Sequence, residues 1–429
     1  MKLQLRKTEI SSQKTEILIT GSKSETNRLL LLQALYPNLV LENISNSDDS
    51  EVMINTLLLT QNSKFKTFCP IIDVHHAGTA MRFLTAYFAI QEGNEVVLTG
   101  STRMKERPIQ ILVEALNQLG AEISYEEKSG FPPIRIKGKK ITKNEISLPA
   151  NVSSQYISAL LLIAPKLENG LEVTLEGEIT SVPYIKMTLA LLNEIGVATS
   201  FESNVIKVNP TPNTQHPTSI TIESDWSSAS YWYSIIALSD IGTEIQLSSY
   251  KENSLQGDAV LAEIYRNFGV ETDFNTNLIL LRKVENLKPD PSDNELAKQT
   301  LNLKLNNCPD IAQTIAVTCF GLGIGCDLFG LHTLKIKETD RLEALKTELT
   351  KLGAIISVTN DSLTLQPSEG INENISIATY QDHRMAMAFA PLALKTSIVI
   401  ENAEVVSKSY PTFWEDLEKF NFSIKNISI

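Results

Sequence analysis

Short apolar runs rich in branched residues recur along the chain, each edged by turn residues: Glu16 to Ile19, Glu95 to Leu98, Leu171 to Leu175, Ser219 to Ile222, Glu244 to Leu247 and Ser397 to Ile400. These predict strands. Longer apolar stretches between them predict helices. Four of the helical stretches close on near-copies of one phrase: LNQLGAEISYE around Gly120, LNEIGVATSFE around Gly196, YRNFGVETDFN around Gly269 and TKLGAIISVT around Gly353. A glycine just past a helix accepts a left-handed conformation that a Cβ disfavours. Each phrase therefore predicts a helix end running directly into a strand.

Each repeat also has a beginning. Small or polar residues precede an apolar helical run at Ala77-Gly78-Thr79, Ser153-Ser154-Gln155, Ser227-Ser228-Ala229 and Pro309-Asp310-Ile311, always 42 or 43 residues before the closing glycine. Gly21-Ser22-Lys23-Ser24 and Asp382-His383-Arg384 are two further starts of the same kind. Strands and helices thus alternate through six units of about 70 residues, an α/β arrangement. The symmetric division is three units per domain, and a chain of this length favours two domains of roughly 200 residues. The crossing point is placed at Glu223 to Ser227, with the first strand grouped with the second half. The expected domains are residues 1–20 with 225–429, and 21–224 as an insert.

Composition narrows the function. Hydrophobic residues make up 42% and charged residues 21%, an ordinary soluble balance. No apolar run is long enough to span a bilayer and the first residues lack a secretory apolar region, so a cytoplasmic location is expected. Cys69, Cys308, Cys319 and Cys326 form no CxxC pair and are expected to be buried thiols. The five histidines make no HExxH, and His75 with His76 is too little for a metal site. A net charge of −12 argues against nucleic acid or an anionic membrane as partner. Local clusters of Lys and Arg are then more informative, because they run against the average.

Those clusters fall at the repeated helix starts. Lys23, Ser24 and Arg28 decorate the first, Arg82 follows Gly78-Thr79, Ser153, Ser154 and Gln155 open another, and His383 with Arg384 the last. A helix start exposes unpaired N–H groups and partial positive charge, so it receives anions readily. The GxxxxGK[ST] spacing is absent, which disfavours nucleotide triphosphates. Three loop segments add charge: Arg103 to Pro108, Lys335 to Arg341, and Lys408. Singly, each reads as a cap or a solvated face. On equivalent positions of a repeat, they point to a common anion site.

GSKSETNR at 21–28, AGTAMR at 77–82, RMKERPI at 103–109, SSQ at 153–155, PDI at 309–311, KETDR at 337–341 and DHRMAM at 382–387 occur in that order. In this set the chain resembles the 5-enolpyruvylshikimate-3-phosphate synthase family, from Gly21 to about Trp414. The resemblance implies an α/β fold of two similar domains, each of three repeated βαβαββ units (an inside-out α/β barrel), with the active site in the interdomain cleft. It implies transfer of the enolpyruvyl group of phosphoenolpyruvate to the 5-hydroxyl of shikimate 3-phosphate, with phosphate released through a tetrahedral intermediate. No metal or cofactor is implied, no nucleic acid or membrane partner, and the chain is expected to be a monomer.

The resemblance also implies roles. Shikimate 3-phosphate would be held by Lys23, Ser24, Arg28, Ser153, Ser154, Gln155, Ser181, Tyr184, Asp310, Thr333 and Lys337. Phosphoenolpyruvate would be held by Lys23, Gly78, Arg107, Gln155, Arg341, Arg384 and Lys408. By position alone Asp310 reads as a helix cap; the resemblance makes it the base for the 5-hydroxyl, with Glu338 handling the methylene proton and Lys23 a second acid. Three positions depart from the family pattern: His76 and Thr333 stand where it has Asn, and Phe83 where it has Pro. A related enzyme acting on UDP-N-acetylglucosamine shares the fold, but has KN near its start and a reactive loop cysteine, neither of which occurs here.

Overall fold

The structure is a computed structural model that describes residues 1–10, 15–60, 69–150, 153–177, 179, 182–211, 218–285 and 300–427. It forms two compact units, one of Gly21–Ile222 and the other of Met1–Thr20 with Glu223–Ile429. Each has its own hydrophobic core.

One sheet plan recurs. In the Gly21–Ile222 unit, Ile71–Asp73 lies parallel to Glu95–Thr99, which is antiparallel to Ile134–Lys137, with Glu122–Tyr125 at the edge. The strands Glu145–Pro149, Leu171–Glu176, Val205–Val208 and Thr199–Glu202 repeat this order. Leu39–Glu42 and Thr218–Thr221 make a parallel pair.

In the other unit, the plan is followed by Thr15–Ile17, Glu244–Ser248, Leu278–Lys283 and Val270–Asn275. It is followed again by Thr300–Lys304, Gly325–Phe329, Ser362–Leu365 and Ile356–Val358. The final sheet joins distant segments: Ile375–Ile377, Ile398–Glu401, Lys2–Leu5 and Ile424–Asn426.

A parallel pair needs a crossover, and here the helices at the repeated starts supply it. Gly78–Ala89, Ser154–Ile163, Ala312–Leu322 and His383–Phe389 each connect the two parallel strands of one sheet. The closing glycines feed the edge strands. Gly120, Gly196, Gly269 and Gly353 have φ of +113°, +88°, +71° and +104°, the conformation that their place after a helical segment requires. Gly269 differs from the sequence expectation in one respect, since it ends two short turns, Leu261–Ile264 and Tyr265–Phe268, rather than one continuous helix.

The helices Lys23–Leu35, Gly78–Ala89 and Ser154–Ile163 pack on one another, as do Trp226–Leu238, Ala312–Leu322 and His383–Phe389 in the other unit. They are buried on nearly every side, so they lack the polar stripe of a surface helix. Small hydroxyl residues let them approach while satisfying one another: Thr318 Oγ1 donates to Ser234 Oγ at 2.7 Å, and the Ser230 and Thr314 hydroxyls lie 3.1 Å apart. The Trp226 helix begins one residue before the predicted Ser227, because the Asp225 carboxylate accepts from Ser228 N and caps it. Among the described residues no helix is long and apolar enough to cross a membrane, and no group of His, Cys, Asp and Glu could hold a metal ion.

Lys283 is a buried cation at the end of a central strand. Its Nζ donates to the carbonyls of Ala237 (3.0 Å) and Phe268 (2.6 Å), closing a helix end and a turn. Burial, with Lys395 nearby, lowers its pKa to about 8. Between that value and the unfolded lysine's 10.5, the unfolded chain binds more protons, so Lys283 contributes more stability as pH rises. Denaturant titration of wild type and Lys283→Met at pH 7 and pH 10 should show wild type gaining relative to the variant. An unchanged difference would refute this assignment.

Candidate active site

The first constellation lies in the Gly21–Ile222 unit. The Ser22 hydroxyl accepts from Glu25 N and starts the Lys23 helix. Lys23 Nζ sits 3.7 Å from the buried Asp49, and His76 Nε2 lies 3.7 Å from Asp48 and 4.0 Å from Asp49. Ser153 caps the helix that begins with Ser154, and Gln155 Nε2 donates to Thr79 Oγ1 at 3.1 Å. The starts of the Ser154 and Gly78 helices are thereby tied together.

Arg28 is 2% exposed, and its fork faces inward. Nε donates to Thr188 Oγ1 (2.8 Å), Nη1 to the Ser24 carbonyl (2.7 Å) and Nη2 to Ser158 Oγ (3.0 Å). Phe83 and Tyr184 present their rings to it at 5.4 and 5.9 Å. Arg82, expected among the anion-binding side chains, is instead turned into the protein. It donates to the Gly78 carbonyl (3.2 Å) and the Pro108 carbonyl (3.0 Å), and so clamps the loop that carries Arg107. Burial lowers both pKa values to about 10, with Arg107 adding to the effect at Arg82. No carboxylate among the described residues pairs with Arg28, Arg82 or Arg107 within 4 Å. The buried charges of Arg28 and Arg82 are costly, Glu25 offsetting only part of that cost at Arg28, and an incoming anion relieves it.

Gly78 shows how tightly this part is built. A Cβ at that position would lie 2.5 Å from Arg107 Nη1 and 2.9 Å from Nη2, so the guanidinium rests directly on the helix start. Only glycine leaves it there.

The second constellation, in the other unit, is dense in both signs. Arg341, 2% exposed, donates from Nη1 to Asp310 (2.9 Å), from Nη2 to Glu338 (2.8 Å) and from Nε to Asp382 (2.6 Å). Asp310 also meets Lys337 Nζ at 3.3 Å and Arg384 Nη2 at 3.4 Å, and its carbonyl accepts from Arg384 Nη1 at 3.2 Å. Burial alone would raise the Asp310 pKa; Lys337, Arg384 and Arg341 outweigh it and hold the carboxylate well below its usual range. Arg384 Nη2 donates to Ser227 Oγ as well, at 3.2 Å. The starts of three core helices thus meet around one guanidinium.

Lys408 Nζ donates to the Gln381 carbonyl at 2.7 Å, next to the Asp382 cap, and the Thr333 hydroxyl is buried without a hydrogen-bond partner among the described residues. Ser181 lies outside the described residues. Sequence reasoning passed over several groups that orient the others. Asp49 was not singled out, nor were Ser158 and Thr188, which take the Arg28 fork. Asp382 was read only as a helix start, yet it also pairs with Arg341.

The fold is that of the enolpyruvyl transferases. It matches an EPSP synthase from Acinetobacter baumannii over 100% of both chains, with a TM-score of 0.79 at 19% identity. It also matches the enolpyruvyl transferase NikO from Streptomyces tendae over 99% of this chain and 98% of that one, with a TM-score of 0.70 at 14% identity. The model of the EPSP synthase (3-phosphoshikimate 1-carboxyvinyltransferase) family covers residues 7–417, and the chain belongs to that family. A 3-phosphoshikimate 1-carboxyvinyltransferase from Bacteroides fragilis is 46% identical over 96% of each chain. One from Pasteurella multocida is 36% identical over 93% of this chain and 94% of its own.

Proposed function

We propose that this protein transfers the enolpyruvyl group of phosphoenolpyruvate to the 5-hydroxyl of shikimate 3-phosphate, by addition and then elimination of phosphate. Family membership supports the reaction. The observation that carries its chemistry is Asp310, a half-buried carboxylate held ionised by Lys337, Arg341 and Arg384 at the start of a core helix. On this reading the two constellations serve one reaction, in two domains of three repeated βαβαββ units divided near residue 224, and the enzyme works in the cytoplasm.

Lys23, Ser24, Ser153, Ser154 and Gln155 offer a helix-start surface to shikimate 3-phosphate. Arg28 and Tyr184 support it from beneath, and Ser181, Thr333 and Lys337 complete the set. Gly78, Arg107, Arg384 and Lys408 suit phosphoenolpyruvate, whose phosphate and carboxylate match guanidinium forks. Arg341 joins them by exchanging its bond to Glu338 for one to the substrate. That exchange frees Glu338 to carry the methylene proton, with Lys23 as a second acid. Asp310 takes the proton of the 5-hydroxyl. Cations aimed at the charge that develops in the tetrahedral intermediate supply the stabilisation.

The test is phosphate release from phosphoenolpyruvate by the purified protein, with shikimate 3-phosphate or UDP-N-acetylglucosamine as acceptor. Release only with shikimate 3-phosphate is expected; release only with the sugar nucleotide, or with neither, would overturn the proposal. A second expectation concerns Gly78→Ala. Its Cβ must push Arg107 away, so the KM for phosphoenolpyruvate should rise at least about tenfold, with shikimate 3-phosphate affected much less. Equal effects on both KM values would show that Arg107 does not serve phosphoenolpyruvate in particular.

A further inference from the structure

Asp258 is a carboxylic acid that the chemistry above does not use, yet it is 4% exposed and lies one residue from the second constellation. Its Oδ2 accepts the Ser227 hydroxyl, and its Oδ1 has no hydrogen-bond partner among the described residues. The Ser227 oxygen in turn accepts from Arg384 Nη2 at 3.2 Å.

A cap role does not account for it, because Asp225 already caps the Trp226–Leu238 helix through Ser228 N at 2.8 Å. Its turn is also held in place. Gln256, just before the Gly257–Val260 turn, accepts from Trp226 N and donates to the Ser224 carbonyl, both at 2.9 Å. An ionisable group buried without a direct cation is costly, and its placement calls for a purpose.

We propose that Asp258 is a positioning residue for Arg384, acting through the Ser227 hydroxyl. By accepting the hydrogen bond of the serine hydroxyl, the carboxylate turns a serine lone pair towards Arg384. The guanidinium is then fixed by Ser227 Oγ, the Asp310 carbonyl and the Asp310 carboxylate, and it meets phosphoenolpyruvate already oriented. This inference rests on the function proposed above.

The groups acting on Asp258 are Arg384, Asp310, Asp225, the Ser227 hydroxyl and the Cys308 thiol. Burial raises its pKa to about 6, Arg384 and Ser227 opposing and Asp310 and Asp225 adding. The device therefore loses its charge just below neutral pH, which makes it separable from plain packing.

The experiment is steady-state kinetics of wild type, Asp258→Asn, Asp258→Ala and Ser227→Ala, with both substrates, from pH 5.5 to 8. The loss of a charge-assisted contact predicts a rise of about tenfold in the KM for phosphoenolpyruvate in Asp258→Ala and Ser227→Ala. The KM for shikimate 3-phosphate should stay within about twofold. Asparagine has the shape of the protonated acid, so the gap between wild type and Asp258→Asn should close as pH falls through about 6. A gap independent of pH, or equal rises in both KM values, would reduce Asp258 to a packing residue and overturn the proposal. If Asp258→Ala fails to fold, Ser227→Ala and Asp258→Asn decide it. Wild-type turnover with unaltered variants would sink this inference alone, whereas absent wild-type turnover would sink the function on which it rests.

Discussion

Asp310→Asn should lower turnover by roughly 10²-fold or more while leaving both substrates able to bind. Asparagine keeps the size and can still accept from Arg341 and Lys337, but it cannot take a proton from a hydroxyl. Removing the charge also leaves Lys337, Arg341 and Arg384 with one fewer internal counter-ion, so phosphoenolpyruvate should bind as tightly as before, or more tightly. Calorimetric binding beside steady-state turnover separates the two effects, and near-normal turnover would discard Asp310 as the base. The same three cations explain how the base could be switched on. With them in contact the carboxylate is held so far below its usual range that it is a feeble proton acceptor. Substrate anions that draw Lys337 towards themselves would restore part of its basicity when the hydroxyl arrives.

Arg341→Met should be the most damaging single change to stability in the second constellation. It takes one arginine from three carboxylates at once; Asp310 keeps Lys337 and Arg384, but Asp382, whose side chain is 0% exposed, loses its buried guanidinium. Breaking a buried ion pair on one side typically costs about 3–5 kcal/mol. Protonating the stranded acids relieves part of that cost, so the stability gap to wild type should narrow as pH falls from 7.5 towards 5.5. Urea unfolding at the two pH values measures this, and a loss under about 1 kcal/mol would mean that the cluster relaxes without its arginine.

The scaffold was legible in the chain for local reasons. A glycine after a helical segment and a cap before one are decided within a few residues, and four closing glycines with matching starts exposed the repeat. The grouping of polar residues at those starts followed from the same repetition. What escaped was anything set by distant partners. Whether Arg28 faces a ligand or the interior depends on Ser158 and Thr188, which are 130 and 160 residues away. Arg82 looks like Arg28 in sequence, yet it is spent on a carbonyl at Pro108. Asp258 carries no periodic signal at all; only the fold brings it to Ser227. The strand Lys2–Leu5 was missed because four residues of mixed polarity become a strand only between two neighbours.

That strand bears on how the protein is made. Lys2–Leu5 pairs with Ile398–Glu401 on one side and Ile424–Asn426 on the other. Residues 2–5 therefore wait for partners almost 400 positions further along the chain before they find their places. The Gly21–Ile222 unit, by contrast, is one uninterrupted stretch and can fold while synthesis continues. Vectorial synthesis would thus yield a folded unit preceded by an unpaired strand, and the late sheet becomes the step at which a nascent chain is most open to aggregation or capture by chaperones.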